Sequence, residues 1–327
     1  MPPQKVATIK TTTQKTPKQK ISHSDKASNS DESVFFSSKQ SAVFRDCEID
    51  FVLTSRLCGV STPPYHSLNL AYHTHDNNVC DNSVNVAHNR AKILSAYFPQ
   101  KTLIFCNQIH SSVILACDES SYDKATKSAQ NLQNQHSLQE CNLGQGDGIF
   151  CTHKNLVALV LVADCNPVLI FDCVNGAFVA LHAGRAGVCA HILINAINTL
   201  LANGAKTQNL RVFIGASIRK CCYEVGEDLA IKIQKDFGKK YIEKRSGKYF
   251  LDLILMLLDE CDRAGILREN VEVLEVCSCC EDRLFSYRRA YKKNRWQKVQ
   301  IRSQKTNESC EKNLIQTGRF GLFVSLR

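Results

Sequence analysis

Leu156-Val-Ala-Leu-Val-Leu-Val-Ala-Asp-Cys-Asn-Pro167 decides the fold of this chain, and Ala177-Phe-Val-Ala-Leu-His-Ala-Gly184 completes the reading. Each starts as a short, β-rich apolar run and is ended by Pro or Gly, the pattern of a buried strand. Each also presents a possible metal ligand where the run stops, Cys165 in the first and His182 in the second. Leu103-Ile-Phe-Cys-Asn-Gln-Ile-His110 repeats the pattern and ends in another His. A thiol and imidazoles at strand ends point to a site more than to a core.

Outward from these runs, strand and helix signals alternate. Asp50 to Thr54 predicts a strand and Val84 to Phe98 a helix. Leu156 to Asp172 reads as two strands broken at Cys165-Asn166-Pro167, and Ala177 to His182 as another. Gly187 to Ala202 carries apolar residues at helical spacing and ends at Asn203-Gly204, a helix C-cap pair. Leu210 to Ile218 returns as a strand, Leu251 to Ala264 is an amphipathic helix stopped by Gly265, and Val271 to Val276 is a strand. The order predicts an α/β fold, a single layered α/β/α domain with a mixed β-sheet.

Residues 1–42 are a different material. Lys, Thr, Ser and Gln dominate, and the first large aromatics are Phe35 and Phe36. Such a segment cannot bury enough apolar surface to offset its ordering entropy, so a disordered tail is expected, with the domain spanning 43–327. An organellar transit peptide fits poorly, because the stretch has Lys without Arg and no amphipathic period. A second polar stretch, 118–145, reads as an insertion or long loop.

The chain has 327 residues, an ordinary apolar fraction of 44% and a net charge of +10. Its 17 cysteines are many, but the number is odd and no apolar leader follows Met1-Pro-Pro-Gln-Lys5. Reduced thiols and a cytoplasmic location are therefore expected. No apolar stretch approaches the roughly 20 residues that span a membrane.

Two imidazoles and one thiolate, His110, His182 and Cys165, form a donor set suited to Zn²⁺. Three protein ligands leave one tetrahedral position open, as catalytic zinc sites do. Cys277-Ser-Cys-Cys280 and Cys221-Cys222 together imitate a four-thiolate zinc site. Adjacent cysteines fit that geometry poorly, so buried structural thiols are expected there.

A set of motifs in order resembles a known family. They are Thr54-Ser-Arg-Leu-Cys-Gly-Val-Ser61, Ser67-Leu-Asn-Leu70, Asn89-Arg90, Asn107-Gln-Ile-His110, Gly146-Asp-Gly148, Ala163-Asp-Cys165 and His182-Ala-Gly184. Cys221-Cys-Tyr-Glu-Val-Gly226, Phe285-Ser-Tyr-Arg-Arg289 and Thr317-Gly-Arg319 close the set. From about Phe51 onward the chain resembles the laccase-domain proteins, once called multicopper polyphenol oxidases and now described as zinc-dependent purine nucleoside phosphorylases. The resemblance implies one α/β/α domain, zinc held by His110, Cys165 and His182, and Arg56 near the metal as a phosphate holder. It departs at Arg185-Ala186, where the family reads Trp-Arg, so the family role of that arginine does not carry over.

The resemblance implies phosphorolysis of adenosine, inosine and S-methyl-5′-thioadenosine, with adenosine deamination as a further activity. Purine nucleosides and phosphate are then the partners. Arg56 matches a phosphate through its guanidinium fork. Asp147 and Asp164 lie beside the site segments and stand as acid/base candidates, with turn or capping roles as the alternative. Asn69 reads as a turn residue. Three other functions compete. A copper-dependent polyphenol oxidase needs several His-rich sites, and ten scattered histidines do not supply them. A cysteine hydrolase would use Cys165 with His182 as base. An RNA-binding protein would use the basic run from Arg288 to Lys298. A solvated face is the favoured reading of the start of that run, and nucleic acid the less favoured partner.

Overall fold

The computed structural model describes residues 31–73, 81–117, 138–302 and 315–327, with backbone only for 295–302. The chain opens with β1 (Val34–Ser37), β2 (Ile49–Thr54), α1 (Ser83–Tyr97), β3 (Thr102–Asn107) and β4 (Ile114–Cys117). It continues through β5 (Glu140–Gln145), β6 (Gly148–Cys151), β7 (Leu156–Val162), β8 (Asn166–Asp172) and β9 (Ala177–Ala183). Next come α2 (Arg185–Cys189), α3 (Ile192–Ala202), β10 (Leu210–Ile214), β11 (Glu224–Val225) and α4 (Glu227–Asp236). The last elements are β12 (Ile242–Arg245), β13 (Lys248–Leu251), α5 (Leu253–Arg263), β14 (Val271–Val273), α6 (Tyr287–Arg302) and β15 (Phe320–Leu326).

The α/β class and the mixed pairing are as expected. The strands, however, divide into two six-stranded sheets and a small third one. The first sheet runs β1-β2-β15-β7-β3-β5 and the second β14-β10-β8-β9-β6-β4. Both mix parallel and antiparallel neighbours. Along β7 the side chains alternate: Ala158, Val160 and Val162 enter the core between the sheets, while Val157 and Leu159 face the α1 side. In β8, Leu169 and Phe171 point between the sheets, and Val168 and Ile170 face α3 and α5. Every central strand is therefore covered on both faces. This is why these strands read as unbroken apolar runs, and why sequence alone does not assign them to one sheet or two.

Three other elements differ from expectation. Gly187 to Ala202 splits into α2 and α3 at His191, which has φ 58° and so cannot continue a right-handed helix. Part of the polar stretch expected as a loop forms β5; residues 118–137 of it lie outside the described segments. The polar tail expected through residue 42 ends earlier. β1 pairs with β2, and Phe36 stacks on Phe213 with ring centroids 5.5 Å apart. Ser41 hydrogen-bonds Glu272, and Phe44 is fully buried. Two aromatics and one pairing edge supply what the composition of the segment hid.

A consequence follows for truncation. Phe36→Ala should cost roughly 2 kcal/mol, below the 3–5 kcal/mol of a fully buried aromatic because the ring is only half-buried. Deleting residues 1–40 should cost more, since β1 goes too. Urea midpoints check both; an unchanged midpoint in the truncated protein would restore a polar tail reaching residue 42.

The polar β5 is explained by one buried cation. Arg90 is 1% exposed, and its guanidinium meets Glu140 of β5 at 2.7 Å. It lies between the rings of Tyr72 and Phe105, 4.4 and 4.6 Å from their centroids. Asn89 donates to Ser61 Oγ and to the Ser67 and Asn69 carbonyls. Asn69 in turn bonds Ala71, in keeping with a turn residue. These motif residues hold the 55–71 loop against α1.

Candidate metal centre

The chain crosses from the first sheet to the second three times, between β3 and β4, between β5 and β6 and between β7 and β8. His110 lies on the first crossing, Asp147 on the second and Cys165 on the third. His182 sits in β9, opposite Pro167 of β8, so Cys165 falls beside the end of the His182 strand. One ligand atom each from His110, Cys165 and His182 lies within 4.8 Å of the others. Cys165 Sγ is 3.8 Å from His110 Nε2. Tetrahedral zinc bonds of about 2.0–2.3 Å set donor atoms roughly 3.3–3.8 Å apart, so the three residues fit such an ion. His110 (φ 60°) and Asp164 (φ 97°) both have left-handed backbones, a cost the surrounding structure must impose.

Asp147 organises the first crossing. It is fully buried and precedes β6, where its own carbonyl accepts the His182 N–H. Its carboxylate accepts the N–H groups of Ile109, His110 and Ser111 at 3.3, 3.0 and 2.5 Å, and the Ser111 hydroxyl at 2.7 Å. It also meets His182 Nδ1 at 2.7 Å. With the proton assigned to Nδ1 by that carboxylate, Nε2 is left as the ligand atom, the usual arrangement behind a metal-binding His. Burial opposes the charge on Asp147, but the bonds from His182 and Ser111 hold it well below the usual carboxylate range. Without metal, burial also opposes the Cys165 thiolate; the His182 charge and bonds from both imidazoles overcome it and place the thiol at about 6. His182 rises to about 9 against its own burial, through Cys165 and Asp147.

Gly184 closes the site from the β9 side. A Cβ there would stand 2.8 Å from His110 Cδ2 and 3.1 Å from Cys165 Sγ. Gly184→Ala should therefore push both ligands apart and weaken zinc binding by at least about 10-fold, comparable to loss of a supporting partner. Competitive titration with a zinc indicator checks this, and an unchanged affinity would show that the loop yields without moving the ligands.

Asp164 joins different segments from Asp147. Its carboxylate accepts Ser278 Oγ and the Arg288 N–H, both at 2.7 Å, and its carbonyl accepts the Ile218 N–H. The turn and capping alternative describes these contacts better than a free acid/base does. Arg56 is half-buried, and its charged neighbours are Arg289 and Asp282 rather than the triad. Its Nε has no hydrogen-bond partner among the described residues. Burial, then the nearby Arg289, lower its pKa.

Arg319 is the residue that sequence reasoning missed. Burial lowers its pKa, while the charges of Cys165 and Asp164 raise it, which places the guanidinium beside the site. Its only sequence signal was membership of Thr317-Gly-Arg319. Arg185, where the family pattern is broken, lies near Tyr223, whose hydroxyl pKa burial pushes up and the Arg185 charge lowers. The Arg288 guanidinium lies 5.5 Å from that ring's centroid. Arg288 also donates to the Cys222 carbonyl, and Arg289 to those of Ser278 and Glu281. The start of the basic run thus turns inward rather than forming a nucleic-acid face.

Two imidazoles and a thiol thus converge in a fold whose family is known. The chain belongs to the family described as multi-copper polyphenol oxidoreductase laccase, which matches residues 50–298. It is 31% identical over 247 residues to a purine nucleoside phosphorylase of Corynebacterium glutamicum, covering 73% of this chain and 88% of the relative. A purine nucleoside phosphorylase of Mycobacterium bovis is 27% identical, with 73% and 86% covered. The solved structure of YlmD from Geobacillus stearothermophilus shares the fold with TM-score 0.68 and 22% identity, over 88% of this chain and 94% of that one. A Bacillus licheniformis protein, hypothetical protein YfiH, gives TM-score 0.66 and 24% identity, over 87% and 96%. No helix among the described residues is long and apolar enough to cross a membrane.

Proposed function

We propose that this protein is a cytoplasmic zinc-dependent purine nucleoside phosphorylase. It cleaves adenosine, inosine and S-methyl-5′-thioadenosine with phosphate, and adenosine deamination is a second activity of the same site. The observation that carries this reading is the convergence of His110, Cys165 and His182 on one point, backed by the buried Asp147. The names of the relatives support the reaction class. Zinc bound by the three residues would supply a Lewis acid with one open position. The donor set does not suit a multicopper oxidase, since the metal-competent groups among the described residues contain only two histidines.

In phosphorolysis a phosphate oxygen bonds to C1′ of the ribose while the C1′–N9 bond breaks. The purine leaves with the electron pair and takes up a proton. The chain's contribution is charge and position. In this reading Arg319 and Arg56 hold the phosphate's negative charge through their guanidinium groups. Asp147 fixes the tautomer and orientation of His182 through Nδ1, and the His110 turn through three N–H groups. Asp164 ties the Ser278 and Arg288 segments beside the site.

Purified protein incubated with adenosine or inosine should release free purine and ribose 1-phosphate only when phosphate is present. Zinc content should track that activity through chelation and reconstitution. Phosphate-independent turnover that survives chelation would favour a cysteine hydrolase instead.

Arg56→Ala should raise the KM for phosphate by about 10-fold or more, the scale of one lost charge-assisted contact. It should change ammonia release from adenosine much less, because only phosphorolysis consumes phosphate. Arg56→Lys should recover part of the loss, since an ammonium lacks the bidentate fork. Equal losses in both reactions would return Arg56 to a structural role beside Arg289.

A further inference from the structure

The expectation of buried structural thiols fails on the opposite flank of Asp164. Cys221 and Cys280 are exposed, Cys222 and Cys277 partly so, and none is in a disulfide. The four sulfurs lie within 4.8 Å of one another. Cys222 Sγ is 3.4 Å from Cys280 Sγ, and Cys221 Sγ is 3.9 Å from it. From these contacts we propose a second metal site, in which Cys221, Cys222, Cys277 and Cys280 hold one structural Zn²⁺ as four thiolates.

The spacing argues for an ion. Zn–S bonds of about 2.3 Å in a tetrahedron set sulfurs roughly 3.8 Å apart, and both measured pairs bracket that value. A disulfide would use two sulfurs and give no reason for the other two to converge. Adjacent cysteines looked unsuitable in sequence, but the backbone resolves the difficulty. Arg219–Cys222 is a tight turn, in which the N–H groups of both Cys222 and Tyr223 bond the Arg219 carbonyl at 2.9 Å. Cys277–Glu281 is a second turn, with the Cys280 and Glu281 N–H groups on the Cys277 carbonyl at 3.0 Å. Each turn therefore offers a pair of sulfurs to the other.

The surroundings suit a cluster of negative charge. Cys277 Sγ accepts the Arg219 N–H at 3.5 Å, the kind of bond that supports a thiolate ligand. The guanidinium of Arg219 is held behind it by the Val276 and Gly215 carbonyls, and that of Arg288 bonds the Cys222 carbonyl at 3.0 Å. Four thiolates on one Zn²⁺ carry a net charge of minus two by simple count, which these cations offset. Soft thiolates in this geometry select zinc over hard cations.

The site would fasten the β10–β11 connection to the segment between β14 and α6. Ser278 and Arg288, which grip Asp164, are in or bonded to those same turns. The ion would thus brace the wall next to the His110–Cys165–His182 centre from outside, without touching substrate.

The test uses full-length protein in the Cys165→Ala background, which disables the first centre and keeps the result independent of the proposed activity. Elemental analysis should find one zinc per chain, and Cys277→Ser with Cys280→Ser should remove it. Cys173→Ser, at an exposed cysteine elsewhere, should leave it in place. If the double variant does not fold, X-ray absorption at the zinc edge of the Cys165→Ala protein decides. A shell of four sulfurs at about 2.3 Å is expected. Zinc with nitrogen or oxygen donors, no zinc in the Cys165→Ala protein, or a Cys222–Cys280 disulfide in its place would overturn the proposal.

Discussion

Cys165→Ala should remove one equivalent of zinc and lower phosphorolysis by more than about 100-fold while the protein stays folded. The lower bound follows from the metal chemistry: loss of an outer partner alone costs 10–100-fold, and a direct ligand weighs more. Folding should survive because Cys165 only borders the core between the sheets, and losing one partly exposed thiol leaves that core intact. The sheets on either side are held by β7 and β8, whose residues are almost all buried and apolar. His182→Ala should match the zinc loss but cost more stability, since it also strips a partner from the buried Asp147. The measurements are zinc per chain, ribose 1-phosphate formation and the melting temperature of the same preparations. A metal-depleted wild type that keeps full turnover, or a Cys165→Ala protein that cannot fold, would end the reading of an open catalytic zinc site. The first result would point to Cys165 as a nucleophile, the second to a structural metal.

How much of this was legible in the sequence depends on what each residue interacts with. β7, β8 and β9 were read from apolar runs, and their ends located Cys165 and His182, because a buried strand must stop where polar chemistry begins. His110, Cys165 and His182 all end such runs, but only the family resemblance grouped them, because residues so far apart in sequence carry no spacing signal. The division into two sheets was not, because a strand covered on both faces has the same pattern in either architecture. β1 and β5 were hidden by polar composition. Phe36 gains its burial from Phe213, and Glu140 its place in β5 from Arg90, partners far away in sequence. The break at His191 follows from a left-handed residue that helical periodicity does not register. The roles of the two aspartates were left open for a similar reason. Asp164 ends an apolar run and Asp147 follows a polar stretch, and neither setting shows what the carboxylate meets: Asp147 is surrounded by donors from the His110 turn and His182, while Asp164 meets Ser278 and Arg288. Arg319 had no pattern of its own, and only its position beside Cys165 and Asp164 marks it.

Asp147→Asn isolates the support of the site from its ligands. The carboxylate accepts from three backbone N–H groups, one hydroxyl and one imidazole with no exposure to water. An amide of the same shape keeps one acceptor oxygen and turns an NH₂ toward donors. Breaking a buried, charged partner costs about 3–5 kcal/mol, and the retained oxygen should keep the loss near the lower figure. That stabilisation is present above the ordinary carboxylate range and is lost as acid protonates Asp147, because folding depresses its pKa. The substitution should also weaken zinc by about 10–100-fold, since His182 loses the acceptor that fixes its Nδ1 proton. Saturating zinc should then restore much of the turnover in Asp147→Asn but none of it in Cys165→Ala. Such rescue separates a positioning carboxylate from an acid/base, whose loss zinc cannot repair. If excess zinc leaves turnover in Asp147→Asn unimproved while the protein is folded and metal-loaded, Asp147 acts on the substrate's protons directly.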